Sequence, residues 1–192
     1  MGNKFLPFIV TICCGLALFG ISLLYERWVD PRPHGMIQEQ IEQAQERIPE
    51  FSFTTLDGKN HMIRNIEGRV VIINFWATWC PPCLAEFPTL VDMTEKYPDR
   101  VLLVALSSDK SRADVDRFIA SLEKQMGAKI NPSRVMIAMD SDRRVTRDIF
   151  RIQTYPESIL VLPGGVKARH IMGADAWGTP ELQKWVATHA RK

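Results

Sequence analysis

A chain of 192 residues, 46% hydrophobic and 24% charged, has the material for one sizeable core and not for two. Its formal net charge is +2, and its 24 basic residues form no stripe, so nothing supports nucleic-acid binding. Its four cysteines are Cys13 and Cys14 in an apolar run and Cys80 and Cys83 in one short motif, which leaves no material for a disulfide framework.

Residues 5–25, "FLPFIVTICCGLALFGISLLY", hold no charged side chain. As a helix they span roughly 31 Å, enough for a hydrocarbon core, and predict a single transmembrane segment. Lys4 and the amino terminus lie before it, whereas Glu26 offsets Arg27 after it. That asymmetry leaves residues 1–4 cytoplasmic and exports the remainder. The best small-residue pair, Gly15 and Ala17, falls inside the apolar run, so the reading is an uncleaved signal anchor. Ile12 stands where lipidation would need a small residue, so Cys13 and Cys14 read as small apolar membrane residues.

Residues 26–48 read as a tether. "WVDPRPHG" is rich in breakers, and Ile37, Ile41, Ala44 and Ile48 then form a narrow helical stripe on a polar helix. The compact domain is placed at 49–192. "FSFTTLDGKNHMI" is two short strand-like runs around Asp57-Gly58, a hairpin signal. "RVVIINFWA" is a near-continuous apolar run, the pattern of a strand buried on both faces. Leu84, Phe87, Leu90, Val91 and Met93 or Thr94 suit a helix running to about Tyr97, stopped by Pro98. "VLLVALS" predicts a second buried strand, and Val115, Phe118, Ile119, Leu122 and Met126 one face of the next helix. A short strand "RVMIAM", a helical turn or two in "SDRRVTRDIF", and "ESILVL" with "VKARHIM" as a hairpin follow. Thr179 and Pro180 open a last helix with Leu182, Trp185 and Val186 inward. The fold class is α/β, a mixed sheet covered on both faces.

"NFWATWCPPCLAEFP" carries the chemistry. A zinc site needs about four ligands, and no second CxxC or His pair accompanies the first; His34, His61, His170 and His189 are scattered singly. A purely structural disulfide over so short a loop would stabilise little. A dithiol has a mechanism: the strand ending near Ala77 delivers Cys80 to a helix N-terminus, which favours a thiolate. Cys83, one turn on, is placed to resolve a mixed disulfide formed at Cys80. Trp79 is expected to flank the sulfur. Pro81 and Pro82 have no N–H to offer it, which argues against a strongly acidic thiol.

The "FSFTTLDGK" hairpin, "VVIINFWATWCPPC", Pro88 and "TYPES" together resemble the thioredoxin superfamily over roughly residues 49–190. The likeness is narrowest to membrane-anchored bacterial thiol–disulfide oxidoreductases of the TlpA/ResA/CcmG type. It implies a thioredoxin-like mixed sheet flanked by helices, with an N-terminal β-hairpin and one transmembrane helix. It further implies a redox-active Cys80–Cys83 disulfide and no other cofactor. Pro88 resembles the family's helix-kinking proline. Pro156 matches its cis-proline, with Tyr155 beside it and Pro81 and Pro82 between the cysteines, all bordering the substrate groove. Glu86 matches an acidic position of the subfamily, a solvated helix charge being the alternative. Asn74 stands where thioredoxin has a buried aspartate. An amide cannot take a proton from Cys83, so Glu86 or water must serve.

The implied function is reduction of disulfides in exported proteins such as apocytochrome c or copper-site proteins. Electrons would come from a membrane thiol–disulfide reductant, with the domain in the periplasm of a bacterial inner-membrane protein. A disulfide-forming oxidant and a Cu(I)-holding assembly factor are the alternatives. A peroxidase is disfavoured, because Ala77 stands where P-x-x-x-T-x-x-C needs threonine.

Overall fold

The computed structural model describes residues 46–66 and 68–190. The expected transmembrane segment and all but the last three tether residues lie outside them. Among the described residues, no helix is long and apolar enough to cross a membrane.

The strand β3 (Val70–Trp76) is the centre of the molecule, and all seven of its residues are buried. It pairs in parallel with β4 (Val101–Ser107) on one side and antiparallel with β6 (Glu157–Leu162) on the other. Two outer strands complete a mixed sheet in the order β5-β4-β3-β6-β7, with β5 at Val135–Met139 and β7 at Val166–Met172. The apolar runs of β3 and β4 follow from this placement: strands enclosed on both faces need no polar alternation.

Side-chain alternation divides two cores. Val70, Ile72 and Trp76 enter one with Phe87 and Leu90 of α1 (Pro81–Lys96), Val115 and Leu122 of α2 (Arg112–Met126), and Leu182 and Val186 of α3 (Pro180–His189). Val71, Ile73 and Phe75 enter the other, beneath Phe51, Phe53, Val145 and Ile152. Phe51 precedes and Phe53 lies within the short strand β1 (Ser52–Thr54), which pairs antiparallel with β2 (Asn60–Met62). The stretch expected to form a helical turn is a π-helical turn at Arg144–Ile149, capped by the Asp140 carboxylate through Val145 N–H and Thr146 N–H.

Each outer strand is covered along part of its free edge. Leu56 N–H donates to Ile137 O on β5, and Lys167 N–H on β7 donates to Glu46 O. Ile48 N–H also donates to Gly165 O, so the described end of the tether is bonded to the β6–β7 turn. Unpaired strand edges invite pairing with other chains, and these segments occupy them.

Candidate active site

The chain leaves β3 at Trp76 and turns through Ala77, Thr78 and Trp79 to reach Cys80. Cys80 N–H donates to Ala77 O at 3.2 Å, closing that turn. Cys80 is then the extended N-cap of α1, with Pro81 and Pro82 in its first turn. Its sulfur accepts from the Cys83 N–H at 3.3 Å. Proline rings replace the two amides before it, so one N–H serves this sulfur where a helix start could offer two or three. Cys80 and Cys83 form a disulfide with Cα atoms 5.3 Å apart. The first cysteine keeps 6% exposure and the second none. An incoming thiol or disulfide therefore meets Cys80, and Cys83 is sealed beneath it. Pro88 lies inside α1, where its missing N–H interrupts the helical ladder.

The loop before the cysteines is held by Asp109, just past β4. Its buried carboxylate accepts from Thr78 N–H at 2.9 Å, Thr78 Oγ1 at 2.6 Å and Ser107 Oγ at 2.7 Å. Next to it Ser108 shares a 2.7 Å hydrogen bond with the Tyr155 hydroxyl. Three consecutive residues thus tie the cysteine loop to the loop that faces it. Sequence reading missed them, because "LSSDK" has the look of a strand running out into a polar turn.

The facing loop holds the Tyr155–Pro156 peptide bond, which is cis. Tyr155 meets the ring of Trp79 edge-on at 5.4 Å, and Trp79 itself is 61% exposed. Glu157 braces this loop from behind, accepting from Thr154 N–H at 2.9 Å and Thr154 Oγ1 at 2.8 Å. Its other oxygen lies 2.7 Å from His170 Nε2 on β7. Burial alone would raise the Glu157 pKa, but these donors outweigh it and hold the carboxyl below its ordinary range. His170 had no partner visible in the sequence. The contact depends on the β6–β7 register, in which Ile159 stands opposite His170.

Below the disulfide, Asn74 is the polar member of the β3 face that carries Ile72 and Trp76. Its Nδ2 donates to Glu86 Oε1 at 2.8 Å and to Ser158 Oγ at 2.9 Å. Glu86 is 4% exposed, so it is not a solvated helix charge. It sits three residues after Cys83, on the same face of α1. Burial pushes its pKa from 4.5 up to about 7, against the opposing pull of the Asn74 hydrogen bond. The Trp177 indole N–H also favours the charged form weakly, without completing a hydrogen bond. A carboxyl balanced near neutrality can take or give a proton at little cost.

Two measurements test this architecture. Asp109→Ala leaves the Thr78 N–H and two hydroxyls without their acceptor. It should lower the unfolding free energy by about 2–3 kcal/mol in urea titration. For Glu86 the folded pKa lies above the unfolded one. Its contribution to stability is full below pH 4.5 and is lost as pH rises through about 7. Glu86→Gln keeps an acceptor for Asn74 and should remove a decline of about 3 kcal/mol over that window. The variant should therefore be the more stable protein at pH 8, and equal stability there would show that the carboxyl is not desolvated.

The Redoxin family model matches residues 43–161, more than half of the chain. Thioredoxin-like protein YneN of Bacillus subtilis is 28% identical over 156 residues, covering 78% of this chain and 85% of YneN. Thiol-disulfide oxidoreductase ResA of Bacillus thuringiensis is 29% identical over 132 residues, covering 68% and 70%. Among solved structures, StoA from Bacillus subtilis is 26% identical with a TM-score of 0.56, covering 71% of this chain and 96% of StoA. A putative thiol:disulfide interchange protein DsbE from Chlorobium tepidum shares the fold at 24% identity and a TM-score of 0.64, covering 77% and 97%. The chain belongs to the Redoxin family and, through Cys80 and Cys83, is a thiol–disulfide oxidoreductase of the TlpA/ResA/CcmG-like kind within the thioredoxin superfamily.

Proposed function

We propose that this oxidoreductase works as a reductant of disulfides in exported proteins, held at the outer face of a bacterial inner membrane by residues 5–25. In the reduced protein the Cys80 thiolate attacks one sulfur of a target disulfide, forming a mixed disulfide and releasing the first target thiol. Cys83 then loses its proton and attacks Cys80 Sγ. The second target thiol leaves, and two electrons have passed from the Cys80–Cys83 pair to the target. Glu86 receives the Cys83 proton in this scheme, since Asn74 cannot. Trp79, Pro81, Pro82, Tyr155 and Pro156 form the surface against which the target backbone lies. The electrons reside on sulfur alone, so no cofactor is needed. A membrane thiol–disulfide reductant restores the dithiol, and apocytochrome c or a copper-site protein is the class of target.

The direction of electron flow rests chiefly on one observation: a single amide, that of Cys83, reaches Cys80 Sγ. Strongly oxidising dithiols owe their poise to a stabilised thiolate in the reduced form. Here the proline pair withholds the donors that would supply it, and the helix macrodipole alone contributes only about 0.3–1 kcal/mol at an exposed end. The thiol pKa should stay nearer about 8.5 than about 3.5, and the couple near roughly −270 mV.

Equilibration with glutathione and dithiothreitol measures that potential directly. A value above about −180 mV would assign the protein as an oxidant instead. Copper titration of the reduced chain tests the remaining alternative: tight Cu(I) binding without disulfide reduction would mark an assembly factor. In cells, Cys83→Ala should accumulate a mixed disulfide between Cys80 and its partner, whereas Cys80→Ala should accumulate none. Equal trapping by both variants would reverse the roles assigned to the two cysteines.

A further inference from the structure

Arg143, in the turn after β5, is not used by the dithiol chemistry. Its backbone is left-handed at φ 60°, a region that disfavours any residue with a bulky side chain. Neighbouring groups impose that conformation. Arg143 N–H donates to Asp140 O at 2.8 Å, while the Asp140 carboxylate caps the π-helical turn that starts at the next residue. The result is that the guanidinium lies over the Tyr155 ring, 5.7 Å from its centroid. The same ring meets Trp79, next to Cys80, on the other contact. Trp79, Tyr155 and Arg143 therefore form one continuous rim beside the disulfide, ending in a cation.

Among the described residues no carboxylate lies within ion-pair distance of that cation, although its charge acts at longer range on Asp148, which Arg147 already pairs. The neighbouring charges differ: Arg147 Nε pairs with Asp148 at 2.8 Å, and the Asp142 carboxylate accepts the Arg144 backbone N–H at 3.0 Å. Arg143 Nε is buried and has no hydrogen-bond acceptor. A buried donor left unpaired is costly, and a guanidinium fork fits a carboxylate with two parallel hydrogen bonds. A strained backbone that sets an unpaired arginine at the rim of a reactive site is the kind of outlier that points to function.

We propose that Arg143 is a specificity-determining residue of the substrate groove, selecting polypeptides that carry a carboxylate side chain close to the cysteine attacked by Cys80. The inference rests on the reading of Cys80–Cys83 as a reductant of polypeptide disulfides, and it adds the chemical class of the target. The tyrosine and tryptophan are sequence-tolerant apolar contacts. The arginine supplies the discrimination, by attracting an acidic neighbour and repelling a basic one.

The test uses disulfide-linked homodimers of one short peptide, differing only in a Glu, Gln or Lys placed within two residues of the cysteine. Identical halves remove any doubt about which sulfur is attacked, and thiol release by the reduced full-length chain is the readout. At low ionic strength the Glu dimer should be reduced roughly 3- to 10-fold faster than the Lys dimer, and the ratio should approach one in about 0.5 M salt. Arg143→Gln should collapse the ratio, and Arg143→Lys should keep part of it. Arg144→Gln, one residue away and exposed, should leave it unchanged. A ratio of one in the unaltered protein, or a ratio that survives Arg143→Gln, overturns the proposal. Should Arg143→Gln not fold, as judged by its thermal transition, Arg143→Lys and the salt dependence decide the matter. Failure to reduce any of the three dimers would overturn the reductase reading itself, and this inference with it.

Discussion

Complete enclosure of β3 is the constraint on which the rest depends. This strand pairs with β4 along its whole length and with β6 from Val71 to Phe75, and none of its side chains is exposed. Its last residue is therefore a rigid point, and the three residues that follow place Cys80 at a set distance from it. Trp76 joins the helix-side core with Phe87, one turn beyond Cys83, so the start of α1 is also anchored from below. The facing loop begins the neighbouring strand β6, in register with β3. The disulfide and the cis-proline are thus set opposite each other by the sheet and not by their own loops.

What the sheet does not supply, buried carboxylates do. Asp109 secures the cysteine loop, Glu157 secures the cis-proline loop and Asp140 secures the turn bearing Arg143. Each accepts at least one backbone N–H from the segment it holds, replacing ladder hydrogen bonds that an irregular loop cannot make. All three lie in or next to the connections that leave β4 and β5 or enter β6. In open α/β sheets, these strand ends are where sites gather.

Much of this was legible in the sequence and some was not, for a physical reason. β3 and β4 announce themselves as unbroken apolar runs and the three helices by their periodicity, and the CPPC spacing fixes which helix end bears the sulfur. The Glu86 environment was half legible: its helical position three residues after Cys83 follows from spacing, but its burial depends on Asn74 and Ser158 meeting across β3 and β6. Asp109, the Glu157–His170 pair and Arg143 leave no local signal at all. The Asp109–Thr78 and Glu157–His170 contacts join residues 31 and 13 positions apart, Arg143 is set by a backbone angle, and an aspartate after a strand or an arginine in a turn looks like ordinary surface. The contact of Glu46 and Ile48 with the β6–β7 hairpin was not legible either, because it runs through backbone groups that no side-chain pattern records.

Two features of the site act on different halves of the exchange reaction. The proline pair limits the donors to Cys80 Sγ, which bears on the stability of the thiolate and so on the poise of the couple. Glu86 lies three residues after Cys83 on α1 and is bonded to Asn74, and in the proposed scheme it takes the proton that must leave before the mixed disulfide is resolved. Because burial is what lifts the Glu86 pKa to about 7, the same packing that weakens the fold at neutral pH leaves its carboxyl divided between the two protonation states. A fully solvated glutamate would be a poor proton acceptor at that pH, and a fully neutralised one would be none. The buried Asn74 hydrogen bond holds the group between those limits, opposing a further rise without abolishing the effect of burial.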